Sequence, residues 1–355
     1  MKPSEDRRDG TPETDGGTED ASPFEILMQS SDDGTQTTRK SRLKGAFVQY
    51  VYGPLSIMAH DWRAVVGLSI VLFYLGVGVL GPTLVEPTST NDGGRFVKPL
   101  QTWAHPLGTD NLGRDLLALH VYATKPILQM MAAGGLFTVS MGTLFGTVSG
   151  YKGGTVDVVL STITDIFINI PGLPLVIVLA AIIQPENPYV LGLLLTVAAW
   201  AGLARAIRSQ VLSIRTEAFT EASRTIGVPQ QKIILRDVLP HLLPYITVNL
   251  VQAMRNVLFG AVGLYFIGVL PITDPNWGTI LNTAYSNNAH LRPNVIHWLL
   301  IPTAVIVVLS IGMILLSQSL DRVFNPRVRA KHIQQLDESP PEEGAEDVEN
   351  TDSWV

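Results

Sequence analysis

Long uninterrupted apolar segments are the feature that most constrains the fold of this chain. The first, AVVGLSIVLFYLGVGVLGPTLV at residues 64–85, contains no charged side chain. A run of about 20 apolar residues matches the roughly 30 Å hydrocarbon thickness of a bilayer. In lipid only helices and closed barrels satisfy their backbone groups, and the alternating pattern of barrel strands is absent. The sequence therefore predicts an all-α polytopic membrane protein with six transmembrane helices, at about 64–85, 127–149, 165–184, 190–212, 242–270 and 295–318.

The composition agrees with a membrane domain between polar ends. Of the 355 residues, 46% are hydrophobic and only 16% are charged, which argues against a soluble protein. The net charge of −6 is unevenly distributed, because both ends are rich in Asp, Glu, Ser, Thr, Pro and Gly. We therefore expect disordered acidic tails at 1–45 and 331–355, a short segment at 46–63 before the first span, and a transmembrane domain at 64–330.

Basic residues near the ends of the predicted spans indicate the orientation of the chain. Lys and Arg cluster at 39–44, 205–236 and 322–331, whereas the loops at 184–189 and 271–294 are nearly free of them. Short loops enriched in Lys and Arg stay on the cytoplasmic side. We therefore expect a multi-pass protein of the plasma or inner membrane, with both tails and the segment before the first span in the cytoplasm.

A polar segment with a central Gly-x-Pro break, EASRTIGVPQQKIILRDVLP, lies between the fourth and fifth predicted spans at Glu221–Pro240. A helix that begins near Thr216 should end at Gly227, since glycine readily adopts the left-handed conformation that terminates helices. Pro229 has the fixed φ of a first helical position and should start a second helix. The sequence therefore predicts two short helices, over about 216–238, that meet at a sharp corner on the cytoplasmic surface.

The chain carries no recognisable catalytic or metal-binding motif. It contains no cysteine, which excludes thiol catalysis and cysteine-ligated metals. It also lacks a G-x-x-x-x-G-K-[ST] phosphate loop, an H-E-x-x-H zinc motif and the G-x-S-x-G turn of serine hydrolases. We therefore expect no enzyme activity, no catalytic residue, no bound cofactor and no metal site. Energy for any pumping then has to come from another protein.

A separate motor protein would need a rigid docking surface on this chain, and the two helices of Glu221–Pro240 offer one. Glu221 stands near the exposed end, where it can pair with a charge of the motor. Gly227 permits the corner and a close approach, and Leu239 and Pro240 fix the angle at which the chain leaves it. The alternative is an ordinary amphipathic helix on the lipid headgroups, which explains the basic residues but not this spacing.

Arg255 and Asn256 lie near the middle of the predicted fifth span. An arginine inside a membrane is costly unless it faces water or a partner, so we expect it to point inward. The two residues either line a polar translocation path or meet a structural partner on a neighbouring helix, and the sequence leaves both alternatives open.

The second predicted span carries a regular glycine pattern. Gly142, Gly146 and Gly150 repeat every four residues, which places them on one helix face. Small residues at this spacing let a neighbouring helix approach closely. We therefore expect a tight helix contact along this face, within the chain or between subunits.

Several stretches, in the same order, match motifs of one membrane protein family. EASRTIG at 221–227, followed by Leu239 and Pro240, resembles the EAA signature of permease subunits of ABC importers. HPLGTDNLGRD at 105–115 resembles a stretch of the C-type permeases of dipeptide, oligopeptide and nickel importers, and PNWG at 275–278 resembles an outer loop of that subgroup. The resemblance covers roughly residues 60–330.

The resemblance implies a set of partners and site residues. A second permease subunit would pair with this chain around a central path for peptides, nickel or a related solute. Two ATP-binding subunits, which hold ATP and magnesium, would dock on five residues of the polar segment: Glu221, Ala222, Gly227, Leu239 and Pro240. An extracytoplasmic substrate-binding protein would contact outer residues: Asp110, Arg114, Asp115, Trp277 and Gly278.

Two other functions could explain a polar helical segment between apolar spans: DNA binding, and transport by the chain on its own. A DNA-binding helix-turn-helix is disfavoured because the two helices at 216–238 run directly into spans without a third helix, so we expect no nucleic-acid partner. A stand-alone secondary transporter or channel stays open as the alternative, although such proteins usually carry several acidic residues inside their spans or inverted repeats.

Overall fold

The computed structural model describes residues 61–270 and 275–324. The tails predicted at 1–45 and 331–355 lie outside the described residues, as does most of the predicted segment 46–63. Within the described ranges the chain consists of helices and connecting turns, without a β-strand.

The helices are numbered here in chain order. They are α1 (Trp62–Leu84), α2 (Leu116–Lys152), α3 (Gly154–Asn169), α4 (Gly172–Ile183), α5 (Pro188–Leu195), α6 (Trp200–Ile214), α7 (Ala218–Thr225), α8 (Gln230–Ile233), α9 (Leu239–Phe266), α10 (Trp277–Ser286) and α11 (His297–Phe324). A π-helical turn, Ile234–Val238, joins α8 to α9, and a short 3-10 turn, Ala289–Leu291, precedes α11.

Three described helices, α1, α2 and α11, are long and apolar enough to cross a membrane. The number rises to five if each of two bent pairs, α3 with α4 and α5 with α6, forms one span. The chain is therefore an all-α polytopic membrane protein, as predicted. The predicted fifth span falls in α9, whose polar side chains, among them Arg255 and Asn256, lower its apolar character. The count of six spans stays a prediction.

The third and fourth predicted spans each contain a break. α3 and α4 meet at an angle of 83°, and α5 and α6 meet at 58°. Pro171 separates the first pair, because proline has no N–H and disfavours a helical residue before it. Residues 196–199 separate the second pair, and the Thr196 hydroxyl donates to the Gly192 carbonyl oxygen at 3.0 Å. Residues 165–184 and 190–212 are thus each divided between two helices.

The glycine face of α2 packs against α6. A Cβ on Gly146 would lie 2.5 Å from the Ala204 carbonyl oxygen, and one on Gly150 would lie 2.9 Å from the Arg208 carbonyl oxygen. Distances this short leave no room for a side chain. The predicted close helix contact is confirmed, and it lies within the chain.

α2 connects the two ends of the bundle. At its start, the Leu116 N–H donates to the Gly108 carbonyl oxygen of the segment between α1 and α2. At its end, the Arg215 guanidinium donates to the Gly150 carbonyl oxygen at 3.4 Å. With 37 residues at 1.5 Å each, α2 is about 55 Å long. We term the end near Leu116 the loop end; the helices α7 and α8 lie near the other.

Candidate coupling elbow and translocation face

The corner predicted at Gly227 is present in the structure. Gly227 has a φ of +81°, the left-handed conformation. The Val228 N–H donates to the Ser223 carbonyl oxygen and the Gly227 N–H donates to the Arg224 carbonyl oxygen, each at 3.1 Å. These two bonds form the Schellman motif, which closes a helix with a residue in the left-handed conformation. The chain therefore turns sharply out of α7 at this residue.

Beyond the corner, the second helix does not end at Val238 as expected. α8, the π-helical turn and α9 follow one another without a non-helical residue. The Leu239 N–H donates to the Ile234 carbonyl oxygen, five residues earlier, as in a π-helix. Pro240 has no N–H for the carbonyl four residues before it, so a regular α-helical bond is missing at this place. Residues 230–266 thus form one continuous helical segment. We term 218–240 the elbow.

Apolar side chains anchor the elbow to the bundle. Ile233 and Val238 are at most 1% exposed. They share one buried cluster with residues of α2, α6 and α9: Tyr151, Leu203, Ile207, Val211 and Leu242. Full burial of an aliphatic side chain of this size contributes about 1.5–3 kcal/mol. The elbow is therefore packed against α2 and α6 through this buried cluster.

Two further contacts fix α7 in place. The Thr220 hydroxyl donates to the Ile214 carbonyl oxygen, at the end of α6, over 3.0 Å. The Phe219 ring stacks on the His241 ring of α9, with centroids 4.8 Å apart and 13° between the planes. His241 Nδ1 in turn lies 2.5 Å from the Asp237 carbonyl oxygen. Both arms of the elbow are thus joined to each other as well as to the bundle.

The remaining face of the elbow is exposed and mixed in character. Glu221, Ala222 and Gly227 are exposed, and the Glu221 carboxylate has no ion pair with any residue in the described part of the chain. Ile226 and Leu235 are 78% and 64% exposed. Sequence reasoning missed these two apolar residues, although the position of Ile226 directly before the helix-ending glycine was a signal. Large apolar side chains that stay exposed are candidate contacts for another protein.

α9 also presents a polar face to a cavity of about 250 Å³. Four side chains of α9 form this polar face: Tyr245, Asn249, Gln252 and Asn256. Because successive residues of an α-helix are about 100° apart, these four lie within about 60° of one another around the helix axis. Thr138 of α2 and Thr196 also line the cavity. Sequence reasoning found Asn256 but missed the other three, whose signal was the spacing of four, three and four residues within an apolar helix.

Arg255, predicted together with Asn256 to line a path or to meet a structural partner, lies beside the polar face. It is partly buried and does not line the cavity. Its guanidinium forms no hydrogen bond or ion pair with any residue that the structure describes. The described helices therefore supply no structural partner for it.

Asp110, Arg114 and Asp115 stabilise the loop end from within. Asp110 is fully buried, and its carboxylate accepts from the Leu112 N–H at 2.8 Å and pairs with the Arg114 guanidinium at 2.7 Å. Asp115 caps α2 by accepting from two N–H groups of its first turn. Of these three residues only Arg114 is partly exposed. Both carboxylates thus have partners within the chain, and contact of Asp110 or Asp115 with a binding protein stays a prediction.

Trp277 and Gly278 are also buried at the loop end. The Trp277 ring meets Tyr74 edge to face at 5.8 Å, and a Cβ on Gly278 would lie 2.5 Å from the Tyr265 Cβ. Both residues are buried and pack beneath the surface of the loop end. The predicted contact of these two residues with a binding protein stays a prediction.

Two ion pairs tie α3 to α6, and sequence reasoning missed both. Arg208 Nε and Nη2 each lie 2.6 Å from a different carboxylate oxygen of Asp157. Arg205 pairs with Asp165. Ser161 donates a further hydrogen bond to Asp157 at 3.0 Å. From the sequence, the two arginines served only as markers of the cytoplasmic side; the signal was the spacing of Asp157, Ser161 and Asp165 every four residues along α3.

Comparison with known proteins gives a consistent result. Residues 142–330 match the family described as the binding-protein-dependent transport system inner membrane component. A dipeptide transport system permease protein of Bacillus subtilis is 30% identical over 289 residues, which are 78% of this chain and 87% of that protein.

Two oligopeptide transport system permease proteins are also similar. The protein of Lactococcus lactis subsp. cremoris is 28% identical over 236 residues, which are 66% of this chain and 79% of its own length. The protein of Haemophilus influenzae is 31% identical over 215 residues, with 60% and 67% covered. The family match spans the elbow, the polar face and α11. This chain belongs to the family of binding-protein-dependent transport system inner membrane components.

Proposed function

We propose that this chain is a permease subunit of an ATP-driven peptide importer. Its similarity to dipeptide and oligopeptide transport system permease proteins supports peptides as the cargo. Those names describe components of transport systems, which favours a subunit over a stand-alone secondary transporter or channel. The complex would also contain a second permease subunit, two ATP-binding subunits that hold ATP and magnesium, and an extracytoplasmic substrate-binding protein.

The observation that carries this proposal is the continuity between the elbow and α9. Residues 230–266 form one continuous helical segment, which begins next to the exposed corner and carries the polar face at residues 245–256. A push on the elbow would therefore act directly on the helix that borders the cavity. Because the elbow is also packed on α2 and α6, the movement would shift these helices together.

The chemistry of the elbow fits a docked partner. Ile226 and Leu235 would enter an apolar groove of an ATP-binding subunit, and Glu221 would face one of its basic side chains. Ala222 and Gly227 keep the approach close, since neither carries a long side chain. Closure of the two ATP-binding subunits would then move the elbow, and the cargo would follow the difference in affinity between the two states of the path.

On this proposal the loop end faces outward and receives the binding protein. Arg114 is the predicted contact residue that keeps an accessible side chain. Asp110, Asp115, Trp277 and Gly278 would act on this surface by fixing its shape. Both chain termini would lie in the cytoplasm, on the side of the elbow.

The test is the affinity of the ATP-binding subunits for this chain with an acid placed on the elbow. We expect Ile226→Asp and Leu235→Asp each to weaken this binding about fivefold or more, because an apolar hot-spot residue contributes over about 1 kcal/mol to an interface. The affinity can be measured with purified ATP-binding subunits and the permease pair in lipid nanodiscs.

Leu100→Asp is the matched control. Leu100 is 84% exposed at the loop end, so it receives the same apolar-to-acid change far from the elbow. It should leave the binding of the ATP-binding subunits unchanged. Full affinity in both elbow variants would contradict the docking role.

A further inference from the structure

Arg255 is the only Asp, Glu, Lys or Arg residue of α9. A guanidinium stays charged in proteins, and a charge near the middle of a spanning helix is costly unless it meets water or an opposite charge. Within the residues that the structure describes, no acidic side chain pairs with it. The group that stabilises Arg255 is therefore water or a group from outside the described residues.

The position of Arg255 indicates where that group lies. On a helix with about 100° per residue, Arg255 is about 60° from Gln252 around the axis and directly precedes Asn256. Gln252 and Asn256 are exposed and line the cavity. A solute that occupies the cavity and extends past Gln252 would reach the guanidinium.

The side chains that share this region of α9 with Arg255 favour a peptide as the ligand. Tyr245, Asn249, Gln252 and Asn256 each both donate and accept hydrogen bonds, as the N–H and C=O groups of a peptide backbone require. The guanidinium fork matches a carboxylate with two parallel hydrogen bonds. α9 offers no carboxylate as a metal ligand, and a fixed positive charge repels a divalent cation.

We infer that Arg255 and the polar face of α9 form a cargo-recognition site inside the path, which takes peptides with a free terminal carboxylate and disfavours metal cations. The inference rests on the proposed function and deepens it, because it separates peptides from nickel within the importer family. An acidic residue of the second permease subunit is the competing partner for Arg255, and the experiment below distinguishes the two.

The experiment uses the complete importer in liposomes, with its second permease, ATP-binding subunits and binding protein. The probes are dialanine with a free carboxylate and dialanine with a C-terminal amide, and uptake is expressed per loaded binding protein. We expect Arg255→Gln to lower uptake of the free-carboxylate probe about tenfold, since a hydrogen bond to a charged group is lost. Uptake of the amide should change little, and Arg255→Lys should restore part of the preference.

Arg95→Gln removes the same charge from an exposed arginine of the loop end and should leave the ratio of the two uptakes unchanged. The inference is overturned if Arg255→Gln lowers both uptakes equally, or if it prevents assembly with the second permease, which would identify an intersubunit ion pair. Uptake of nickel ions by the wild-type complex would also overturn it. Peptide uptake by the wild type distinguishes failure of this inference from failure of the proposed function. If the wild type imports neither dialanine probe, the proposed function fails as well.

Discussion

Gly227→Ala tests the corner of the elbow without removing a contact. A Cβ at Gly227 would meet no heavy atom within 4 Å, so the added methyl group causes no clash. Its cost is backbone strain, because φ is +81° at this residue. For a non-glycine residue the left-handed conformation costs about 1–2 kcal/mol, which corresponds to a corner that opens about 5- to 30-fold more often.

Hydrogen exchange of the Val228 N–H reports this opening. The Val228 N–H donates to the Ser223 carbonyl oxygen at 3.1 Å, and that bond exists only while the corner is closed. We expect Gly227→Ala to speed its exchange about 5- to 30-fold, and Gly227→Asn to have a smaller effect because asparagine tolerates this conformation. Peptide import per ATP hydrolysed should fall more in Gly227→Ala than in Gly227→Asn.

Gly76→Ala serves as the matched control. Gly76 lies inside α1, a Cβ there also meets nothing within 4 Å, and its φ is not left-handed. Exchange at Val228 should not change in this variant. Unchanged exchange in Gly227→Ala, or equal acceleration in both variants, would refute the strain argument.

Two further predictions concern the packing of α6. Gly146→Ala should lower the free energy of unfolding by about 1–3 kcal/mol, because overpacking forces the backbone of Ala204 away; thermal unfolding in detergent measures this, and Gly76→Ala should not destabilise the protein. Asp157→Asn and Arg208→Gln, singly and together, should give a coupling free energy of about 0.5–3 kcal/mol in the same assay, since the pair is bidentate and partly buried. Additive effects of the two changes would contradict the ion pair.

Features set by local chemistry could be predicted from the sequence. Gly227 followed by Pro229 predicts a corner, because left-handed glycine and the fixed φ of proline act within a few residues. The repeat of Gly142, Gly146 and Gly150 likewise predicts close packing, although not the identity of the partner helix. The family was indicated by the resemblance of short motifs, EASRTIG at 221–227 and HPLGTDNLGRD at 105–115, to those of ABC importer permeases.

Features set by tertiary contacts could not be predicted in the same way. Residues 196–199 contain neither proline nor glycine, so no local signal marked the break between α5 and α6. Asp110 resembled a surface acid, but the charge is buried because Arg114 and loop N–H groups satisfy it. Arg205 and Arg208 looked like topological markers because their acidic partners lie about 40 residues or more away along the chain.

The most direct test of the docking role is the rate at which a single cysteine on the elbow reacts with a membrane-impermeant maleimide. The chain has no cysteine of its own, so Ile226→Cys gives one reactive site on a side chain that is 78% exposed. The proposed docking predicts rapid labelling in inside-out vesicles that hold the permease pair alone, and strong protection once the ATP-binding subunits are bound. Labelling that is equally fast with and without these subunits would contradict it.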